Sequence, residues 1–145
     1  MIRGSPSHLD ITVSDLERSV EFYQRVLERL GYGGMDEVGA GAPCWGIADA
    51  AGSCFTIALK GAAPGKRFVK HDRYAPGLHH FAFHVDNRED VDQFYEFLLS
   101  LGATILDRPA LYDYTPGYYA VFFADPDGIK LEVVFEPQLR GQGAL

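Results

Sequence analysis

The sequence predicts an α+β fold built from two βαβββ modules in tandem. Three observations lead to it. First, the chain repeats itself. His8–Val13 (HLDITV) and His80–Val85 (HFAFHV) each open a segment that reaches an aromatic pair, Phe22-Tyr23 and Phe94-Tyr95. The two histidines are 72 residues apart, as are the two phenylalanines, and farther on the spacing drifts to 76, where ADAAG from Ala48 lines up with ADPDG from Ala124. Second, each copy passes from strand-like alternation to a helical period and then to further strand-like runs. Third, glycines punctuate both copies at matching places, Gly31 and Gly102 after the helical stretches and Gly52 and Gly128 in the later turns. Such a duplication implies two related half-sites that face each other, and two histidines that meet.

The elements follow in order. Residues 8–13 alternate and read as a strand. Ser14 and Glu17 form a capping box for a helix that buries Leu16, Val20, Tyr23 and Leu27 and ends at Gly31. Strands are expected near 32–38, 43–48 and 53–60. Gly61, Pro64, Gly65 and Pro76 mark a long connecting loop over 61–76. In the second copy a strand covers 78–85, Asn87 caps a helix over 88–101, and Gly102 stops it. Strands follow near 103–112, 117–124 and 129–135, with Asp125-Pro126-Asp127-Gly128 as a turn. The chain is thus one domain: module one at about 6–60, the linker at 61–76, module two at about 77–136, and a loose tail at 137–145.

Side chains alternate across a strand. His8, Asp10 and Thr12 share one face of the first strand, His80, Ala82 and His84 one face of the fifth, and Lys130, Glu132 and Val134 one face of the last. The opposite faces are apolar and suited to cover by the helices. His8, His80 and Glu132 therefore stand together as a candidate metal-ligand set. Two imidazoles and one carboxylate leave coordination positions open, which catalysis requires. The metal would be divalent, its identity open among Fe, Mn, Zn, Ni and Mg. If the Asp-Pro-Asp-Gly turn pairs Ala124 with Ile129, Val121 falls opposite Glu132, and Tyr119 and Phe123 line the same cavity. By the same count Trp45 falls opposite Thr56, Cys54 opposite Ile47 and Cys44 opposite Ile57. The cysteines are then not neighbours, a disulfide is not expected, and both read as small buried side chains.

Composition narrows the function. A formal charge of −7 over 145 residues argues against nucleic-acid binding, and 47% hydrophobic residues suffice for a well-buried domain. The apolar runs are too short to span a membrane, and residues 1–5 lack the apolar stretch of a signal peptide, so a cytoplasmic protein is the expectation.

Three stretches carry a resemblance: His8–Tyr23, Gly77–Phe83 and Ala124–Glu132. In them the chain resembles the vicinal oxygen chelate superfamily, which includes glyoxalase I, fosfomycin-resistance proteins, bleomycin-binding proteins and extradiol dioxygenases. The resemblance runs from about His8 to Phe135. It implies paired modules forming a cupped mixed sheet around a divalent metal, with helices on the outer face. His8, His80 and Glu132 fall on the family's ligand positions. Glyoxalase I-like members add a carboxylate in the first module, where this chain has Thr56, 76 residues before Glu132. Thr56 offers no base, which argues against true glyoxalase I chemistry. Residues 112–119 lack the Ser/Gly-rich potassium loop of fosfomycin-resistance proteins. Extradiol dioxygenases usually have four modules. The resemblance also implies a homodimer.

Other residues carry paired readings. His79 is the rival ligand if the strand register slips by one. His84 is either a general base or a solvated strand end. Asp10 either orients a ligand or moves a proton, or is a paired surface carboxylate. Tyr119 joins Asp10 and His84 as a catalytic candidate. Trp45, Thr56, Phe123 and Arg73 are the candidate substrate contacts, although inward aromatics also simply fill cavities. Residues 66–73 (KRFVKHDR) are basic within an acidic chain, and read either as a segment that greets an anionic substrate or as a solvated loop. Two functions remain: a metal-dependent enzyme (lyase, isomerase, transferase or dioxygenase) acting on a small oxygen-rich molecule, or a metal-free binding protein that sequesters a drug-like molecule.

Overall fold

The computed structural model describes residues 4–35, 41–50 and 52–137. The chain divides into two compact units, residues 1–69 and 70–145. Unit 1 holds β1 (His8–Val13), α1 (Leu16–Arg29), β2 (Gly33–Met35), β3 (Cys44–Ala48) and β4 (Cys54–Gly61). Unit 2 holds β5 (Phe81–His84), α2 (Arg88–Leu101), β6 (Thr104–Leu111), β7 (Tyr119–Ala124) and β8 (Lys130–Phe135). Each unit is a four-stranded mixed sheet with one helix, in the orders β1-β4-β3-β2 and β5-β8-β7-β6. In each, the first strand runs parallel to the last and the remaining neighbours are antiparallel. This is the expected α+β arrangement of two βαβββ modules. The expected strand residues 36–38 and tail residues 138–145 lie outside the described residues.

The helices form where their caps and apolar stripes direct. Asn87 Oδ1 accepts from the Asp90 amide at 2.9 Å, and Gly102 closes α2 in the left-handed conformation at φ 70°. At α1 the capping differs from expectation. Asp15, not Ser14, is the N-cap and accepts from the Arg18 amide at 3.1 Å, while Ser14 Oγ accepts from the Arg18 guanidinium. The helix starts one residue later than a Ser14 cap implies. The buried stripe is Ser19, Tyr23, Val26 and Leu27, and Leu16 is left 37% exposed.

One local feature fixes the register of both hairpins. The Asp125 amide donates to the Ile129 carbonyl at 2.9 Å, the Gly128 amide to the Asp125 carbonyl at 3.0 Å, and the Ile129 amide to Asp125 Oδ1 at 2.7 Å. Asp49, Gly52 and Ser53 repeat the pattern at 2.9, 3.0 and 2.8 Å. Gly52 and Gly128 sit at φ 80° and 86°, where a side chain would be strained. A turn followed by a left-handed glycine makes a three-residue loop, so the Asp itself is paired. The pairs next to the loops are therefore Ala48 with Cys54 and Ala124 with Lys130, one residue away from the expected register.

That single step moves side chains between faces. Trp45 pairs with Ile57, Tyr119 with Phe135 and Phe123 with Leu131. All three aromatics lie on the apolar faces, where Leu9, Ile11 and Val13 of β1 also point. Trp45 is 4% exposed and Phe123 is fully buried, so both are core residues and the expectation that they line the polar face is corrected. Cys44 pairs with Ala58 and is buried, whereas Cys54 is exposed, contrary to expectation; both are free. Among the described residues, no helix is long and apolar enough to cross a membrane.

Candidate metal centre

In unit 2 the face turned away from α2 gathers Ala82 and His84 of β5, Ala120, Phe122 and Ala124 of β7, and Lys130, Glu132 and Val134 of β8. Glu132 lies beside Ala82 in the parallel pairing and beside Phe122 in the antiparallel one. Its side chain is buried with no exposed surface, an unusual place for a carboxylate. Oε1 accepts a hydrogen bond from the Tyr118 hydroxyl at 2.5 Å. Among the described residues Oε2 has no hydrogen-bond partner, and His80 Nε2 lies 3.2 Å from it.

Both groups of this pair are pushed toward their neutral forms. Burial raises the Glu132 carboxyl above its ordinary value, against the smaller opposing effects of the Tyr118 bond, Lys130 and His84; Glu136 adds to the rise. Burial, then Lys130, lowers His80. Both shifts disfavour an ion pair across this contact. His79 points elsewhere: it packs edge-on against Tyr74, and its Nδ1 lies 2.7 Å from His80 Nδ1. Of the two adjacent histidines, His80 is the one beside Glu132.

These atoms fit a divalent ion. Ligand atoms about 2.1 Å from a shared ion, at angles between a right angle and tetrahedral, lie roughly 3.0–3.4 Å apart. The 3.2 Å separation falls in that range. One nitrogen and one carboxylate oxygen form a donor set that Zn, Fe, Mn and Ni accept. The unbonded Oε2 is the atom that such an ion would satisfy. Among the described residues, no group of three or more His, Cys, Asp or Glu side chains gathers into a complete ligand set.

The other sequence candidates take varied places. His84, exposed, pairs with Val134 on the same face as Glu132. Tyr119 lies on the helix side: its hydroxyl donates to Asp92 Oδ1 on α2 at 2.8 Å, and the Arg88 guanidinium sits 5.6 Å from its ring. A catalytic role for Tyr119 at Glu132 is thereby corrected. Arg73 covers the neighbouring Tyr74 ring at 5.1 Å and donates to its hydroxyl. In unit 1, His8 is exposed, pairs with Thr56, and has Nδ1 3.4 Å from Ser7 Oγ. Asp10 pairs with Ala58 and reaches Lys60 Nζ at 3.8 Å, so it is a paired surface carboxylate. Thr56 lies on the same face as His8 and Asp10.

Of the residues around Glu132, Lys130 was expected on its face, whereas Tyr118, Phe122 and Tyr112 were not. Tyr118 bonds it, Phe122 stands beside it, Lys130 Nζ lies 3.7 Å from the Phe122 ring centre, and Tyr112 packs edge-on against Phe122 at 5.1 Å. The left-handed glycine of Asp-x-x-Gly was the signal that could have found Phe122. Counting Asp125 as paired puts Phe122, not Val121, beside Glu132.

Tandem βαβββ units with parallel first and last strands, and their polar chemistry on the sheet face away from the helix, define a class of small paired-module proteins. The chain belongs to the glyoxalase/bleomycin resistance protein/dioxygenase superfamily, whose sequence profile matches residues 5–133. It is similar to the uncharacterized protein YqjT of Bacillus subtilis, 34% identical over 132 residues, covering 88% of this chain and 95% of that one. Among solved structures it is similar to a candidate glyoxalase from Bacillus halodurans, with 29% identity, a TM-score of 0.75, and 91% and 96% of the two chains covered. A glyoxalase/bleomycin resistance protein from Albidiferax ferrireducens matches with 25% identity, a TM-score of 0.65, and 90% and 98% coverage.

Proposed function

We propose that this protein is a divalent-metal-dependent enzyme of the lyase, isomerase, transferase or dioxygenase type, acting on a small oxygen-rich substrate. The observation that carries the reading is the buried, half-satisfied carboxylate of Glu132 with His80 Nε2 3.2 Å from its free oxygen. Leaving a buried polar atom unbonded costs about 1–3 kcal/mol. A fold keeps such an atom where something else binds it. His80 and Glu132 hold the ion. When bound, the ion supplies a positive centre that polarises a substrate oxygen and receives developing negative charge.

The chain's own residues do the rest. In this reading His84, exposed on the face of Glu132, carries a proton between substrate and solvent. Phe122 and Tyr112 give an apolar wall that excludes water on one side of Glu132. Lys130 adds a cation on the same face, suited to an anionic substrate group. Arg73 and the basic stretch 66–73 contribute attraction that salt weakens. The homodimer belongs to this proposal as well, and the particle mass in solution reads it.

The test has two steps. Purified protein, stripped with chelator and reconstituted, is assayed for bound Zn, Fe, Mn, Ni and Mg. The metal-loaded protein is then screened against small diols, hydroxy acids, epoxides and catechols. Stoichiometric metal and turnover of one class support the enzyme. No metal, together with tight binding of an unmodified drug-like molecule, supports the sequestering protein instead.

A further inference from the structure

We propose that Tyr118 is a positioning residue that reserves one oxygen of Glu132 and leaves the other as the metal donor. The inference rests on the metal reading above. It starts from the segment between β6 and β7. The Tyr112 amide donates to the Tyr118 carbonyl at 3.0 Å, and the Tyr118 amide to the Thr115 carbonyl at 3.1 Å. Thr115 Oγ1 then donates to Glu136 Oε1 at 3.0 Å, tying the loop to the residue after β8. Gly117, at φ 84°, passes so close to this segment that a Cβ would lie 2.8 Å from Pro137 Cγ. Loop and strand end are thus joined by a turn, a side-chain bond and a close approach that only glycine permits.

The Tyr118 ring is held as well. It packs on the cluster of Ala120, Phe122 and Val134 and takes Tyr114 edge-on at 5.2 Å. With backbone and ring fixed, the hydroxyl has one place to be, 2.5 Å from Glu132 Oε1. A carboxylate has two chemically equivalent oxygens and can bind an ion through either or both. Here they are not equivalent. Oε1 is bonded to the phenol, whereas Oε2 is unbonded and 3.2 Å from His80 Nε2. Tyr118 breaks the symmetry of Glu132, makes it a single-oxygen donor and fixes the plane of its carboxylate. A partner that orients a ligand is commonly worth 10–100-fold in metal affinity.

The experiment uses the full chain and Co(II) as probe, followed by calorimetry and by the visible absorption of the bound ion. Wild type is expected to bind Co(II). Tyr118→Phe keeps the ring and frees Oε1. It is expected to bind about 10-fold or more weakly, with a weaker visible band, because a carboxylate free to bind through both oxygens raises the coordination number. Tyr119→Phe removes the hydroxyl of the next residue, which is bonded to Asp92 on the helix side, and is expected to match wild type in both readouts. A merely structural Tyr118 would lower the melting temperature and leave affinity and spectrum unchanged. If Tyr118→Phe does not fold, Gly117→Ala carries the test: it keeps the hydroxyl but forces the loop off Pro137, and weaker Co(II) binding is again expected. Wild-type affinity and spectrum in Tyr118→Phe, or in Gly117→Ala when that variant is used, overturn the inference and leave the metal reading standing. A wild type that binds no Co(II) overturns both.

Discussion

Replacing Glu132 by Gln should make the metal-free protein more stable while destroying its metal site. Glu132 is fully buried, and among the described residues its Oε2 has no hydrogen-bond partner. In the Gln variant, Oε1 continues to accept from the Tyr118 hydroxyl, no carboxylate is buried, and the new amide can donate to His80 Nε2. Relieving an unsatisfied buried group is worth about 1–3 kcal/mol. Part of that is lost because Gln still buries a polar amide, so a net gain of about 1 kcal/mol is expected. For a chain of this length that is roughly 4 °C in melting temperature. The gain depends on pH in a defined direction. Burial raises the folded Glu132 carboxyl above its ordinary value of 4.5. Above that value the unfolded state holds fewer protons than the folded one, so wild-type stability falls as pH rises toward the folded value. The Gln variant lacks this loss. Calorimetric melting of chelator-treated wild type and Glu132→Gln at pH 7 and at pH 4 checks it: an advantage at pH 7 that shrinks at pH 4. A Gln variant less stable than wild type at pH 7 would refute the reasoning, because the bonds to the charged carboxylate would then outweigh its burial.

Three further outcomes follow from the register and the site. Tyr119→Phe should cost about 1 kcal/mol through the lost bond to Asp92 and leave divalent-ion affinity unchanged; a large affinity loss by calorimetry would put Tyr119 back on the Glu132 face. Gly128→Ala, at φ 86°, should destabilise by about 1–2 kcal/mol in urea melts, and an unchanged midpoint would show that the left-handed turn does not set the register. Turnover of the hemithioacetal of methylglyoxal and glutathione should be absent, since Thr56 supplies no carboxylate for proton transfer; robust product formation in a spectrophotometric assay would contradict this.

The elements were legible because their signals are local. Asn87 and Gly102 bracket α2 at both ends, and the alternation of β8 put Glu132 opposite Leu131 and Val133. The Asp-x-x-Gly turns were legible as turns but not as three-residue loops. That difference rests on one glycine's φ, and it moved Trp45 and Phe123 from the polar face to the core and Tyr119 to the helix side. Burial of Glu132 was also out of reach of pattern reading, since period-two alternation predicts a solvated Glu. Tyr118 was missed because the segment 112–118 has no periodicity, and its position depends on contacts with Glu136 and Pro137 at the far end of β8.

The central claim is that His80 and Glu132 bind a divalent ion together. It is tested most directly by calorimetric titration of Zn(II) and Mn(II) into metal-stripped wild type, His79→Ala, His80→Ala and Glu132→Ala, with circular dichroism to show that each variant folds. Binding in wild type and His79→Ala, with loss in both His80→Ala and Glu132→Ala, is the predicted result. Undiminished binding in folded Glu132→Ala, or loss in His79→Ala with none in His80→Ala, would contradict it.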